Sequence, residues 1–134
     1  VPAGASGTVT ADYVYMRQAE MILLNAEALA KSGSDGPARE MLRSLMSQRV
    51  PDTSYLNALS GAALQDEIYL QTRIELWGEG KSYLALKRNQ GTVNRGPNHL
   101  SFVGESMSYD DERLTFEIPE AELQDNVNID SQNQ

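Results

Sequence analysis

The sequence predicts a mainly α-helical fold: a tetratricopeptide-like helical hairpin followed by further helices, a long loop, a short strand and a coil C-terminal tail. Three observations predict it. Long stretches free of proline and glycine carry apolar residues at the spacing i, i+3, i+4, i+7 that lines one helix face. Turns rich in glycine or marked by proline separate those stretches. Alternation with the period of two that a half-buried strand needs is confined to one short run near the C-terminus.

Residues 1–12 begin with Gly, Ala, Ser and Thr around one proline, a composition that buries little, and are read as a flexible arm or linker. Residues 13–134 are read as one helical domain. Its first helix runs over 13–31, with Tyr15, Met16, Ala19, Ile22, Leu23, Ala26, Leu29 and Ala30 on one broad face. The opposite side carries Val14, Met21, Leu24 and Ala28, which predicts a helix sandwiched between neighbours. Ser32, Gly33, Ser34, Asp35 and Gly36 break it, and Pro37 suits the first position of a second helix, where its missing N–H has no partner to lose. Ala38, Met41, Leu42, Leu45 and Met46 continue that helix on its core face, Arg39, Glu40 and Arg43 take the wet face, and Pro51 ends it.

Ser60 is placed to cap a third helix over 61–77, apolar nearly all round through Leu64, Ile68, Leu70, Ile74, Leu76 and Trp77 and so expected at the centre. Gly78 and Gly80 flank Glu79 and predict a bend before a further helix over 81–88. Residues 89–111 are rich in Gly, Asn and Ser and show no sustained period, which predicts a long surface loop containing at most a short extended piece. Leu114, Phe116 and Ile118 alternate with Thr115 and Glu117 as a short strand stopped by Pro119, and residues 125–134 are polar coil.

Charge and composition narrow the function. Nineteen acidic against eleven basic residues give a net charge of −8, which repels phosphate backbones and makes nucleic acid an unsuitable partner. The absence of cysteine removes disulfides, thiolate metal sites and cysteine nucleophiles. No apolar run approaches the roughly 18 to 20 residues of a spanning helix. The start at Val1, without methionine or a signal pattern, suits a processed protein or an excised fragment.

Few residues carry chemistry. Glu75 projects at nearly the same helical angle as Leu64 and Ile68, and a carboxylate in an apolar stripe needs a partner. Arg73 points to another side of the helix, which leaves Arg88, Arg49 or Arg17 as that partner in a structural ion pair. Glu20 and Glu27 share one flank of the first helix. At about 1.5 Å rise per residue their Cα atoms stand roughly 10 Å apart, wide for a catalytic pair, so ion pairing with Arg17 or with another helix is the better reading. His99, the only histidine, lies in the long loop, where an exposed side chain is the default; with no cysteine, it makes no zinc site by itself. Asp110, Asp111 and Glu112 lack the spacing that wraps a loop around calcium. Trp77 reads as core in preference to a sugar-stacking platform, whereas Phe102, Tyr109 and His99 are better placed to meet a ligand. No catalytic residue, metal site or cofactor is expected, because no nucleotide, hydrolase or metalloprotease motif occurs.

Several runs, in order and at similar spacing, resemble the SusD/RagB family. Arg17-Gln18-Ala19-Glu20 with Asn25-Ala26-Glu27-Ala28-Leu29 resembles its R-x-A-E…N-x-A-E-A-L helix. Arg73-Ile74-Glu75-Leu76-Trp77-Gly78-Glu79-Gly80-Lys81 followed by Leu86-Lys87-Arg88 resembles its R-x-E-L-x-x-E-G-x-R…D-L-K-R run, the most specific part. Ile118-Pro119-Glu120 with Glu122, Asn126, Asn128, Gln132 and Asn133 is similar to its I-P…E…N-P-N…Q-N tail. Departures are Ala85 for aspartate, Lys81 for arginine, Val127 for proline, and a second-helix motif of which Arg49 alone remains.

The resemblance implies a C-terminal segment of a longer, lipid-anchored protein exposed on the outer membrane of Bacteroidetes-type bacteria. It also implies a non-catalytic glycan or nutrient binder that hands its ligand to a SusC-like, TonB-dependent transporter, with membrane contact only through an N-terminal lipid anchor absent from this chain. Two rivals are a helical-repeat adaptor gripping a peptide and an enzyme using Glu20, Glu27 or Glu75. The R-x-E-L…E-G run argues against the adaptor, since a repeat array has no need of it.

Overall fold

The computed structural model describes residues 15–133. The arm expected over 1–12 lies outside them, as do residues 13 and 14 of the first expected helix. The chain divides into two compact units, Val1–Glu75 and Leu76–Gln134.

In the first unit, α1 (Gln18–Lys31) and α2 (Asp35–Met46) form a helical hairpin, a 3-10 turn follows at Ser54–Ala58, and α3 (Gly61–Glu75) packs against both helices. The helix α1 starts later than its apolar pattern suggests. Arg17 is extended (φ −106°, ψ 148°), and its carbonyl accepts the N–H groups of Glu20 and Met21 at 3.1 and 3.4 Å, so the helix begins beyond it. At the other end Gly33 takes a left-handed turn (φ +81°), and Ser34 N–H donates to Leu29 O at 2.9 Å.

The second helix opens two residues before the position expected of Pro37, and the Ser34 carbonyl accepts its first helical bond from Ala38 N–H at 3.0 Å. Pro37 is tolerated there because no first-turn amide has an intrahelical acceptor. Gly61 N–H at the start of α3 donates to Asp35 Oδ2 at 2.7 Å, so a carboxylate of the neighbouring helix satisfies one of the amides that the start of a helix leaves open.

The core of this unit is one cluster of Ala19, Leu23, Ala26, Ala30, Ala38, Leu42, Leu45, Met46, Leu56, Leu64 and Ile68. Four alanines on the facing surfaces let the helix axes approach closely. Arg39 Nη1 donates to Leu59 O at 2.8 Å and Arg43 Nη2 to Asn57 Oδ1 at 2.6 Å, so two arginines of the expected wet face brace the connection over the 3-10 turn. The helix α1 lies against both α2 and α3 as expected but is not enclosed, and α3 is not the central helix its pattern suggests. Met21 and Leu24 of α1 and Leu70 and Ile74 of α3 are exposed, and α3 buries only Leu64, Ile68 and Thr72. A pattern apolar all round fixes helicity, but it does not supply a neighbour for every face.

The second unit holds α4 (Lys81–Arg88), an antiparallel pair β1 (Thr92–Asn94) and β2 (Ser106–Ser108), a 3-10 turn at Glu112–Leu114 and α5 (Glu120–Asp125). The bend at Gly78 and Gly80 has both glycines left-handed (φ +79° and +73°), and Gly80 precedes α4. An L side chain at either position costs on the order of 1 kcal/mol. Trp77 is 84% exposed, which corrects its reading as core: α3 ends at Glu75, and the tryptophan falls in the turn that follows.

Val93 stands opposite Met107, the buried residue of the hairpin. The strand expected at residues 114–118 does not form. Thr115 is extended (φ −93°, ψ 133°), but the polar backbone groups here meet side chains in place of a ladder. Tyr83 OH donates to Leu114 O at 2.7 Å, Asn133 Nδ2 donates to Phe116 O at 3.0 Å, and Ile118 N–H donates to Gln132 Oε1 at 2.6 Å. Alternation identified an extended segment; the missing partner strand is why it is no sheet. The helix α5 within the tail was not expected, since it is one and a half turns long and leaves no period to read.

Candidate functional site

Two groups of residues stand out, one in each unit. In the first, Glu75 at the end of α3 lies between Arg17 and Arg49. Arg49 Nε donates to Glu75 Oε2 at 2.9 Å and Arg49 Nη2 to Oε1 at 2.8 Å, a bidentate fork. Arg17 Nη1 donates to Oε1 at 3.3 Å, and Arg17 Nη2 donates to the Glu75 backbone carbonyl at 2.6 Å, satisfying an acceptor that the end of a helix leaves open. The Glu75 side chain is 13% exposed against 33% and 45% for Arg17 and Arg49, so the carboxylate is inside and the cations face water.

The Arg49 hydrogen bonds hold the Glu75 carboxyl below the ordinary range, against the partial burial that pushes it up; the charge of Arg49 and the contact with Arg17 add to the lowering. A carboxylate so saturated with donors is a poor proton acceptor. Three segments that are far apart in sequence are joined here. Arg73 is directed elsewhere, 5.7 Å from the Tyr69 ring centroid.

The other expected ion-pair residues are dispersed. Glu27 is buried on α1, with Lys31 Nζ at 3.4 Å from Oε1, a pair along its own helix. Glu20 is half-buried in the first turn of the same helix, and Arg88 is exposed at the end of α4, in the second unit.

The second group is the loop between β1 and β2. Arg95 N–H donates to Glu105 O at 2.9 Å and Gly104 N–H to Arg95 O at 2.7 Å, closing its base, while Glu105 N–H donates to Phe102 O at 3.1 Å. Its outer part exposes Leu100, Phe102 and Val103, with Leu100 fully in water. His99 is exposed beside them, its Nδ1 3.1 Å from Gly96 O. Phe102 has φ +54°, a left-handed conformation unusual for a residue with a side chain. Tyr109 lies past the end of β2, half-buried, where its carbonyl accepts from Lys87 Nζ. The structure therefore places His99 and Phe102 in one loop and Tyr109 at the foot of the hairpin.

What sequence reasoning missed is Arg113. Its guanidinium reaches Asp111 at 2.8 and 2.6 Å and Glu105 at 2.5 Å, and lies 5.7 Å from the Phe102 ring centroid. The hydrogen bonds from Arg113 bring the Asp111 carboxyl down to about 2. Asp110, weighed above with Asp111 as a calcium ligand, accepts from Ser108 Oγ. The only signal in the sequence was an arginine closing an acidic run, Asp110-Asp111-Glu112-Arg113.

A sequence model of the SusD family matches residues 3–134. The structure is similar to that of a SusD superfamily protein from Bacteroides thetaiotaomicron VPI-5482, with 30% sequence identity and a TM-score of 0.72, over 89% of this chain and 27% of that chain. The chain thus spans about a quarter of the length of that relative. No curated protein matches.

Proposed function

Because the chain belongs to the SusD family, we propose that it is part of a non-catalytic nutrient-binding protein of an outer-membrane uptake system. In this reading the whole protein sits on the outer surface of the outer membrane, held by an N-terminal lipid anchor. It captures a glycan or other nutrient and passes it to a SusC-like, TonB-dependent transporter, with no bond broken. The observation that supports the reading is the family match across residues 3–134.

The chemistry of the residues suits it. Glu75, Arg17 and Arg49 satisfy one another and tie α3 to the α1–α2 hairpin, a framework role that makes Glu75 itself a poor base for catalysis. Glu20, Glu27 and Arg88 belong to the same class of framework charges. The loop offers an exposed ring at Phe102 for the apolar face of a sugar and an imidazole at His99 for its hydroxyls, with Tyr109 as a further contact.

A glycan array followed by calorimetry on the full-length protein tests this. Saturable binding of one oligosaccharide class, with the ligand recovered intact, is the expected result. Turnover that is lost in Glu75→Gln would overturn the non-catalytic reading, and a screen without binding would overturn the ligand.

A further inference from the structure

A hairpin of two three-residue strands that buries Met107 is marginal by itself, and the loop it carries has no core of its own. Phe102 adds a left-handed backbone, unfavourable for a residue with a side chain, which persists only where the surroundings impose it. Arg113 supplies such surroundings. One edge of its guanidinium grips Asp111 with Nε and Nη2 (2.8 and 2.6 Å), Nη1 reaches across to Glu105 (2.5 Å), and the guanidinium carbon lies 5.7 Å from the centre of the Phe102 ring. Asp111 is fixed in turn, since its N–H donates to Ser108 O at 3.0 Å and its Oδ1 also accepts Arg113 N–H at 3.0 Å. One side chain thus links the end of β2, the base of the loop and the aromatic ring in it. Exposed ion pairs contribute little as a rule; bidentate geometry within a network is the exception.

We propose that Arg113 is the positioning residue of this loop: it holds Phe102 against its guanidinium and so sets how the apolar tip of Leu100, Phe102 and Val103 is presented. The proposal rests on the loop being a contact surface, and it assigns Arg113 the task of limiting the ordering that a ligand would otherwise have to impose. The planar fork matters as well as the charge, because an ammonium cannot bond bidentately and stack on a ring at once.

Hydrogen exchange on the full protein without ligand tests it. In Arg113→Met and in Arg113→Lys the amides of Gly104 and Glu105 should exchange about tenfold faster, with the amides of α1 to α3 unchanged as the internal control for folding. Glu105→Gln, which keeps the Asp111 fork, should fall between them and the wild type. Unchanged protection in Arg113→Met, or full protection in Arg113→Lys, would overturn the proposal. A glycan screen without binding bears on the ligand reading and leaves the exchange result standing.

Discussion

The two units are held together by different means. Among the described residues, the first buries eleven apolar side chains in one cluster shared by three helices and a 3-10 turn, whereas the second buries Leu76, Ala85, Leu86 and Met107 and ties its loops with side-chain hydrogen bonds to backbone. Gln132 is the plainest case. Its carboxamide accepts from Ile118 N–H at 2.6 Å and donates to Ile118 O at 3.1 Å, the two bonds that a neighbouring strand would have made. The difference teaches that a surface presented by loops can be fixed without a large core, provided that each polar backbone group finds a named side chain.

If the contrast holds, damage should scale with what each residue does. Leu42→Ala removes a fully buried side chain from the first cluster and should cost about 3 kcal/mol in urea unfolding, from the lost burial and the cavity left behind. An effect under about 1 kcal/mol would mean that the cluster repacks and is no rigid core.

Glu75→Gln leaves Arg17 and Arg49 facing each other without their anion. Loss of a buried partner costs more than this, but both cations are partly in water, so the expected loss is about 2 kcal/mol. A smaller loss at high salt, measured as the coupling in a double-mutant cycle with Arg49→Met, would confirm that the node is electrostatic.

Gln132→Ala should cost about 1 kcal/mol, the worth of a lost hydrogen bond, and should appear in the second unit as faster exchange at the Ile118 amide with the α1 to α3 amides unaffected. Faster exchange of α1 amides in the same experiment would contradict the separation of the two units' supports.

The smallest effect is acid dependence. A carboxyl whose folded pKa is depressed contributes stability above its unfolded value, and this is lost as pH falls through the folded value. For Asp111 the window runs from 3.8 down to about 2. Exchange at Gly104 and Glu105 should therefore quicken across that range, after correction for the intrinsic pH dependence of exchange. An equal acid response in Arg113→Met and wild type would show that the Asp111–Arg113 pair is not its source.

The same contrast governs what could be read in advance. The helices α2 to α4 follow from their apolar spacing, and α4 has the bounds that the glycines and the polar run around it suggest. The R-x-E-L…E-G run was legible as a SusD-family signature, and the family match covers nearly the whole chain. For Glu75 the helical angle indicated that a partner was needed and left three arginines open; packing chose Arg17 and Arg49 among the described contacts. For Arg113 the sequence offers no more than an arginine closing an acidic run, because it meets Glu105 and Phe102 across the hairpin and nothing in its neighbourhood repeats.

The sequence by itself determined where the longer helices lie, where glycine turns them and which family the chain belongs to, because those properties depend on residues within a few positions of one another. Only the tertiary structure decided that Trp77 meets water, that residues 114–118 pair with side chains and that Arg113 lies over the Phe102 ring. Each of these depends on a partner brought from elsewhere in the chain, and burial and hydrogen bonding are settled by that partner and not by local spacing.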